Sequence, residues 1–333
     1  MASHLHTDDD VTPLKQGRQQ ILALSGGGYR GLFTAQVLEH IEQDFKVTIR
    51  DRFEVIAGTS AGALIAAGLA YGIDAKKIRE TFEKHGPSIF TSGPIKRFIK
   101  NAKRVVTAPY SATAIANALD DVFDANKSVL DQPIASQPIK LLVTAISARE
   151  HKARVYGGAG LGDQMHPGIT LREAILSSAA APTYFPIRDP AGAEPLVDGG
   201  LVANAPGLVA LAYARDRLAA DLADLYLLGI GTASPDPSIV NAGGLKRGIG
   251  GWLTSPKRGI VLMTLDAQED LSHRLATALL KDNYYMVDVR PAPDEAKYIG
   301  LDRAGTTPSQ VLKKLAGDAR QAHFSARRFR DYF

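Results

Sequence analysis

The sequence predicts an α/β fold of three layers, a largely parallel central sheet with helices on both faces. Three observations predict it. Short apolar segments alternate with longer segments whose apolar residues recur at helical spacing. Several of the short segments are continuously apolar, as expected of strands covered on both sides. Twice, at Gly26–Gly31 and at Gly58–Gly62, a glycine-rich turn joins such a strand to a helix.

The elements follow in order. Gln20–Ser25 reads as a buried first strand, and Leu32–Phe45 as a helix with Phe33, Val37, Leu38 and Ile41 on one face. Phe53–Ala57 is a second strand, leading into an Ala-rich helix over 61–71. Ala75–His85 reads as helical, and Lys140–Ser147 and Ala153–Tyr156 as paired strands. Thr170 introduces a helix over Leu171–Ala180. Glu194–Val197 is a short strand, Gly207–Leu218 a helix and Leu225–Gly231 an apolar strand. Ile260–Leu280 is a long helix, Met286–Arg290 a last strand and Ser309–Arg330 a terminal helix. No internal repeat and no clean linker is visible. The chain therefore reads as a mobile arm over 1–17 and a single domain over 18–333. Its motifs gather in about 20–210, and 211–333 completes the fold. Ala242–Gly259 is the best candidate for a mobile loop.

With 45% apolar and 22% charged residues in 333, the composition is that of an ordinary globular enzyme. Its 39 basic and 35 acidic side chains leave a net charge of +4. That balance does not select a nucleic-acid polymer and suits an anionic membrane surface or a phosphorylated ligand equally. The chain has no cysteine, which excludes disulfides, thiolate catalysis and Cys-type zinc sites. The N-terminus has no apolar core of a secretory signal, and no stretch of 18 or more apolar residues could span a bilayer. The expectation is a cytoplasmic protein whose lipid contacts are peripheral to the inner membrane.

Gly58-Thr59-Ser60-Ala61-Gly62 has the Gly-x-Ser-x-Gly form of a nucleophile elbow. Its flanking glycines leave room around a strained serine whose hydroxyl stands at the sheet edge. Gly26-Gly27-Gly28-Tyr29-Arg30-Gly31 matches G-x-G-x-x-G, the dinucleotide fingerprint. A Rossmann site also wants an acid ending the second strand, and here that strand runs straight into Ser60. Asp51 precedes the strand, at the wrong edge. The alternative is a nest of glycine amides that receives an oxyanion. Arg30 then orients the nest, steers a phosphate or forms a structural ion pair. A serine nucleophile needs a base. Of the eight histidines, only His273 and His323 lie late in the chain, and both fall within helical patterns. Asp198, ending Pro195-Leu196-Val197 and opening Asp198-Gly199-Gly200, is better placed, and desolvation would make it a more competent base.

Together these segments, with Ser177-Ser178-Ala179-Ala180-Ala181-Pro182-Thr183-Tyr184-Phe185-Pro186, resemble the patatin-like phospholipase family over about residues 20–210. The family often has Asp where this chain has Ser25. The resemblance implies a Ser60–Asp198 dyad, an acyl-enzyme, hydrolysis of lipid acyl esters and no catalytic cofactor or metal. It implies that the Gly27 and Gly28 amides receive the oxyanion. A closer resemblance, carried by Ile21–Leu32 and the overall length, is to bacterial patatin-type effectors of cyclic-oligonucleotide anti-phage systems. In that subgroup a cyclic dinucleotide such as cyclic GMP-AMP switches on a phospholipase that damages the host membrane. A constitutive lipid acyl hydrolase and a catalytically idle nucleotide-binding module are the alternatives, and a homo-oligomer is left open.

Two further segments fit lipid or ligand. Ile95–Val106 places Lys96, Arg97, Lys100, Lys103 and Arg104 at helical spacing among Phe98, Ile99, Ala102, Val105 and Val106. It reads as a membrane-surface helix or an ordinary surface helix. Lys246, Arg247, Trp252, Lys257 and Arg258 suit phosphate pairing and base stacking, lipid contact or a solvated loop. Arg327, Arg328 and Arg330 read as a solvated helix face.

Overall fold

A computed structural model of the chain describes residues 17–90, 110–163, 165–191, 193–236 and 260–333. The N-terminal arm (but for residue 17), the basic segment 95–106, and Lys246, Arg247, Trp252, Lys257 and Arg258 lie outside the described residues.

The strands are β1 (Gln19–Leu24), β2 (Val55–Gly58), β3 (Leu141–Ser147), β4 (Ala153–Gly157), β5 (Leu196–Asp198), β6 (Leu225–Ile230) and β7 (Tyr284–Val287). They form one sheet in the order β4-β3-β2-β1-β6-β7, with β5 added on β3. β3, β2, β1, β6 and β7 run parallel, and β4 and β5 pair antiparallel with β3. The helices are α1 (Gly31–Phe45), α2 (Ala61–Ala70), α3 (Ala75–Phe90), α4 (Ala112–Phe123), α5 (Leu171–Ser178), α6 (Gly200–Ala203), α7 (Gly207–Arg217), α8 (Ile260–Leu280), α9 (Pro293–Ala296), α10 (Thr306–His323) and α11 (Arg327–Arg330).

The continuous apolar strands have the predicted cause. In β1, Leu22 and Leu24 face one core, with α1, α2, α3 and α10, while Ile21 and Ala23 face the other, with α7 and α8. β2, β3 and β6 divide their residues the same way. Burying a Leu or Ile side chain contributes about 1.5–3 kcal/mol, so both faces of the sheet drive folding.

One feature of the sheet positions the site. β4 pairs with residues 142–146 of β3 and so occupies one of its edges. β2 lies on the opposite edge and leaves it at Gly58, opposite Val143. β5 takes over that vacated lane, with Asp198 opposite Ala145. The end of β5 therefore falls directly beyond the turn at the end of β2.

The structure departs from expectation in several elements. α3 runs to Phe90, through Pro87, because Phe90 seats its ring edge-on against Tyr29 at 6.2 Å between centroids. α4 is a further helix, capped by Ser111, whose side chain accepts the Thr113 N–H at 3.2 Å, with Ile115, Leu119, Val122 and Phe123 buried. β5 starts two residues late, at Leu196, and β7 starts at Tyr284 rather than Met286. The terminal helix is two helices. The chain turns between them so that Phe324 stacks on Phe329 at 4.8 Å and Phe45 meets both rings.

Candidate active site

Ser60 sits between β2 and α2 with φ 56° and ψ −124°, a conformation that favours glycine and stores about 1–3 kcal/mol in any other residue. Neighbouring turns hold it there. Its N–H donates to Ser178 Oγ at 2.9 Å, and its carbonyl accepts the Ala63 N–H at 2.9 Å. The elbow glycines are required by close approach. A Cβ on Gly58 would overlap the Gly62 carbonyl, and one on Gly62 would overlap Leu24 O. Thr59 donates its hydroxyl to Ala203 O at 2.6 Å, so its contact of 2.7 Å with Thr144 is one in which Thr144 donates. That pair ties the elbow to β3 and to the turn after Asp198.

Asp198 is buried, with 5% of its surface exposed. Its N–H donates to Ala180 O at 3.0 Å, and its Oδ1 accepts the Gly200 N–H at 2.7 Å. The Ser60 side chain lies in the same pocket. Burial pushes the Asp198 pKa up to about 7, against the opposing pull of the Ser60 side chain and the Gly200 N–H. A carboxylate so placed is a competent base near neutrality.

The turn Gly26–Gly31 faces Ser60, and an added Cβ on Gly26 would lie 3.2 Å from the Ser60 Cβ. Most of its amides are engaged in holding its shape. The Gly26 N–H donates to Asn204 O at 2.9 Å, Arg30 N–H to Gly27 O at 3.1 Å, and Gly31 N–H to Gly28 O and Tyr29 O. Among the described residues no acceptor takes the Gly27 or Gly28 N–H. Arg30 is buried, and its guanidinium donates to Ser234 Oγ at 2.6 Å, with its charge acting on Asp266, Glu269 and Asp288. It is not among the residues that line the cleft.

Residues of the C-terminal third clasp the same turn. Gly28 has φ +56° and lies so close to Leu301 that a Cβ would overlap its carbonyl oxygen. That carbonyl accepts the Tyr29 N–H at 2.8 Å. The Tyr29 hydroxyl donates to Ser309 Oγ at 2.7 Å, since Ser309 gives its own proton to Gly305 O. Next to Leu301, Asp302 accepts the Tyr110 hydroxyl at 2.9 Å. Tyr110 in turn stacks on Tyr184 at 6.2 Å.

These groups open onto a cleft of about 900 Å³, counting its mouth. Ser60, Asp198, Asn204 and Gly26–Gly28 form one end. The remaining wall is mostly apolar, with Leu64, Phe82, Phe90, Ile115, Phe185 and Leu265 prominent in it. His85 also lines it, but its Nε2 lies 3.2 Å from Asp121 Oδ2. Among the described residues no histidine hydrogen-bonds Ser60. His273 pairs with Tyr284, and His323 with Tyr285 and the Asp288 carbonyl. Among the described residues no group of three or more His, Asp or Glu has a metal-holding arrangement, and no helix is long and apolar enough to cross a membrane.

Sequence reasoning missed Ser178, Thr144, Asn204, Glu269 and Leu301 as site residues. Ser178 lies within the segment Ser177–Pro186 singled out above, without a role assigned to it, and Asn204 lies shortly after Asp198-Gly199-Gly200.

A family model described as patatin-like phospholipase matches residues 22–211. A "cGAMP-activated phospholipase" of Pseudomonas aeruginosa is 32% identical over 310 residues, covering 90% of this chain and 87% of its own. A protein of the same name from Escherichia coli is 29% identical and covers 91% of this chain and 89% of its own. A "cUMP-AMP-activated phospholipase" of Escherichia coli is 27% identical over 79% of this chain and 78% of its own.

Proposed function

Because the chain belongs to the patatin-like phospholipase family, we propose that it hydrolyses phospholipid acyl esters with Ser60 as nucleophile and Asp198 as base. We propose too that a cyclic dinucleotide switches it on, as the names of its relatives state for them. The observation that carries the catalytic reading is the placement of Ser60 and a buried carboxylate together at the polar end of an apolar cleft.

Asp198 takes the Ser60 proton as Oγ attacks the ester carbonyl. The carbonyl oxygen becomes the oxyanion and receives the Gly27 and Gly28 N–H groups. As the tetrahedral intermediate collapses, Asp198 gives the proton to the departing alcohol, leaving an acyl-serine. Water then repeats the sequence: Asp198 takes its proton, hydroxide attacks the acyl carbon, and Ser60 recovers a proton as the fatty acid departs. A donor positioned at the oxyanion is worth roughly 3–4 kcal/mol of barrier. The apolar wall supports an acyl chain as the bound part of the substrate. Met263, Leu271, Leu275 and Leu279, exposed along α8, support peripheral contact with a lipid surface.

The test is mass labelling with a fluorophosphonate, with and without a panel of cyclic dinucleotides, beside phospholipid hydrolysis under the same conditions. The wild type gains one adduct on Ser60 and Ser60→Ala gains none. Hydrolysis rises with at least one nucleotide. No adduct under any condition refutes the catalytic reading, and equal hydrolysis in every condition refutes the switch. The relatives' names carry two different nucleotides, so the panel varies both bases.

A further inference from the structure

A trans peptide is planar, so the C=O of one residue and the N–H of the next point in opposite directions from one rigid unit. Fixing the carbonyl aims the amide. Gly26 C=O and Gly27 N–H form one such unit, and Gly27 C=O and Gly28 N–H form the next. The second is set within the turn itself, where the Arg30 N–H holds Gly27 O at 3.1 Å. The first is set from outside. Asn204 Nδ2 donates to Gly26 O at 3.3 Å, while the Asn204 carbonyl accepts the Gly26 N–H at 2.9 Å.

An asparagine amide has two ends of nearly equal shape, and something must decide which faces Gly26. Nδ2 carries two hydrogens. One goes to Gly26 O and the other to Glu269 Oε2 at 3.0 Å. Turned over, the amide would set Oδ1 against a carbonyl and a carboxylate, both acceptors. Glu269 therefore specifies the orientation that grips Gly26. Glu269 is itself 8% exposed and reaches Asn204 from α8. Its other oxygen lies 3.6 Å from His273 Nε2, and His273 Nδ1 is 2.6 Å from the Tyr284 hydroxyl. Burial raises its pKa, but His273, the Arg30 charge and the Asn204 hydrogen bond outweigh that and keep the carboxyl below its ordinary value. It does not line the cleft, so it meets no substrate.

We propose that Glu269 is a positioning residue for acyl transfer: by orienting Asn204 it fixes the Gly26–Gly27 peptide and so aims the Gly27 N–H at the oxyanion. This rests on the reading of Ser60 and the glycine amides given above. Loss of one oxyanion donor lowers turnover by about 10²–10³-fold, and a misaimed donor is a partial loss.

The test uses the full chain with and without added cyclic GMP-AMP, a short-chain p-nitrophenyl ester and a fluorophosphonate. Glu269→Gln keeps the size of the side chain but lets an N–H face Asn204. Both Glu269→Gln and Glu269→Ala lower kcat and the rate of Ser60 labelling by roughly 10–100-fold, with KM within about twofold of wild type. Asn204→Ala lowers both to a similar degree. Because Glu269 acts through Asn204, the double variant Asn204→Ala/Glu269→Ala is no slower than Asn204→Ala alone. Multiplying losses in the double variant would overturn the proposal, as would Glu269→Gln labelling at the wild-type rate. A wild type that never labels would instead sink the reading of Ser60. Glu269→Gln is near in shape to the native residue, so its kinetics remain readable even where Glu269→Ala unfolds.

Discussion

The most direct consequence of a carboxylate base at Asp198 is a rate that depends on pH where an ordinary aspartate would not. The perturbation is a change of pH from 6 to 8. Burial holds the Asp198 pKa at about 7. The base acts only when ionised, so raising its pKa moves the rise in rate upward, toward neutrality. With that pKa, roughly one tenth of the molecules carry the base form at pH 6 and roughly nine tenths at pH 8. kcat/KM therefore climbs about tenfold across the interval. An aspartate with an ordinary pKa is fully ionised at both and gives a flat profile. The assay is initial-rate hydrolysis of an uncharged p-nitrophenyl ester, with circular dichroism confirming the fold at both ends. The same carboxyl can be observed by carbon-detected NMR in Ser60→Ala. Removing the Ser60 hydroxyl, whose pull lowers the pKa, moves the titration higher than in wild type. A profile flat from pH 6 to 8 in folded protein would refute a raised pKa at a catalytic Asp198.

Two stability and turnover predictions follow from the turns. Ser60→Gly relieves the backbone strain at φ 56° while Ser60→Ala keeps it, so the glycine variant is more stable than the alanine variant by about 1 kcal/mol or more in urea titration, though both are inactive. Equal stability would show that the elbow is unstrained. Gly28→Ala puts a Cβ into the Leu301 carbonyl, with its carbon 2.9 Å away, and demands a left-handed alanine. One side must shift by about 1 Å, and displacement on that scale costs about 100-fold in kcat. Turnover within twofold of wild type would refute an oxyanion role for this turn.

The sheet and both chemical turns were legible because their causes are local. A strand covered on both faces has to be apolar at consecutive positions, and β1, β2 and β6 are. A serine in a strained turn has to be flanked by residues without side chains, and Ser60 is. Asp198 stood out because glycines follow it, although what brings it beside the Ser60 turn is the vacated lane beside β3, which no stretch of sequence displays. The supports were not legible for the same reason. Glu269 lies 65 residues from Asn204. It occupies the inward side of α8, where helical periodicity would sooner expect a leucine, while Leu271, Leu275 and Leu279 face outward. Nothing local marks that inversion as useful. α4 was legible in principle, from Ser111 and the spacing of Ile115, Leu119, Val122 and Phe123. The break between α10 and α11 was not, since it is set by where Phe45 waits on another helix.

The clasp of Leu301 and Ser309 on the glycine turn bears on how such a protein can be divided. The family model ends at residue 211, and the three chemical motifs all lie before that point. Yet β1, which delivers the glycine turn, is flanked by β2 on one side and by β6 on the other. The turn itself is held by a carbonyl ninety residues past the end of the matched region. The motif-bearing half is thus not a portable module. A chimaera that exchanges the C-terminal third for another relative's also exchanges one wall of the active site. Conversely, any force exerted on the segment around Leu301 reaches the glycine amides directly, through the Tyr29 N–H bond and the packing of Gly28 on Leu301.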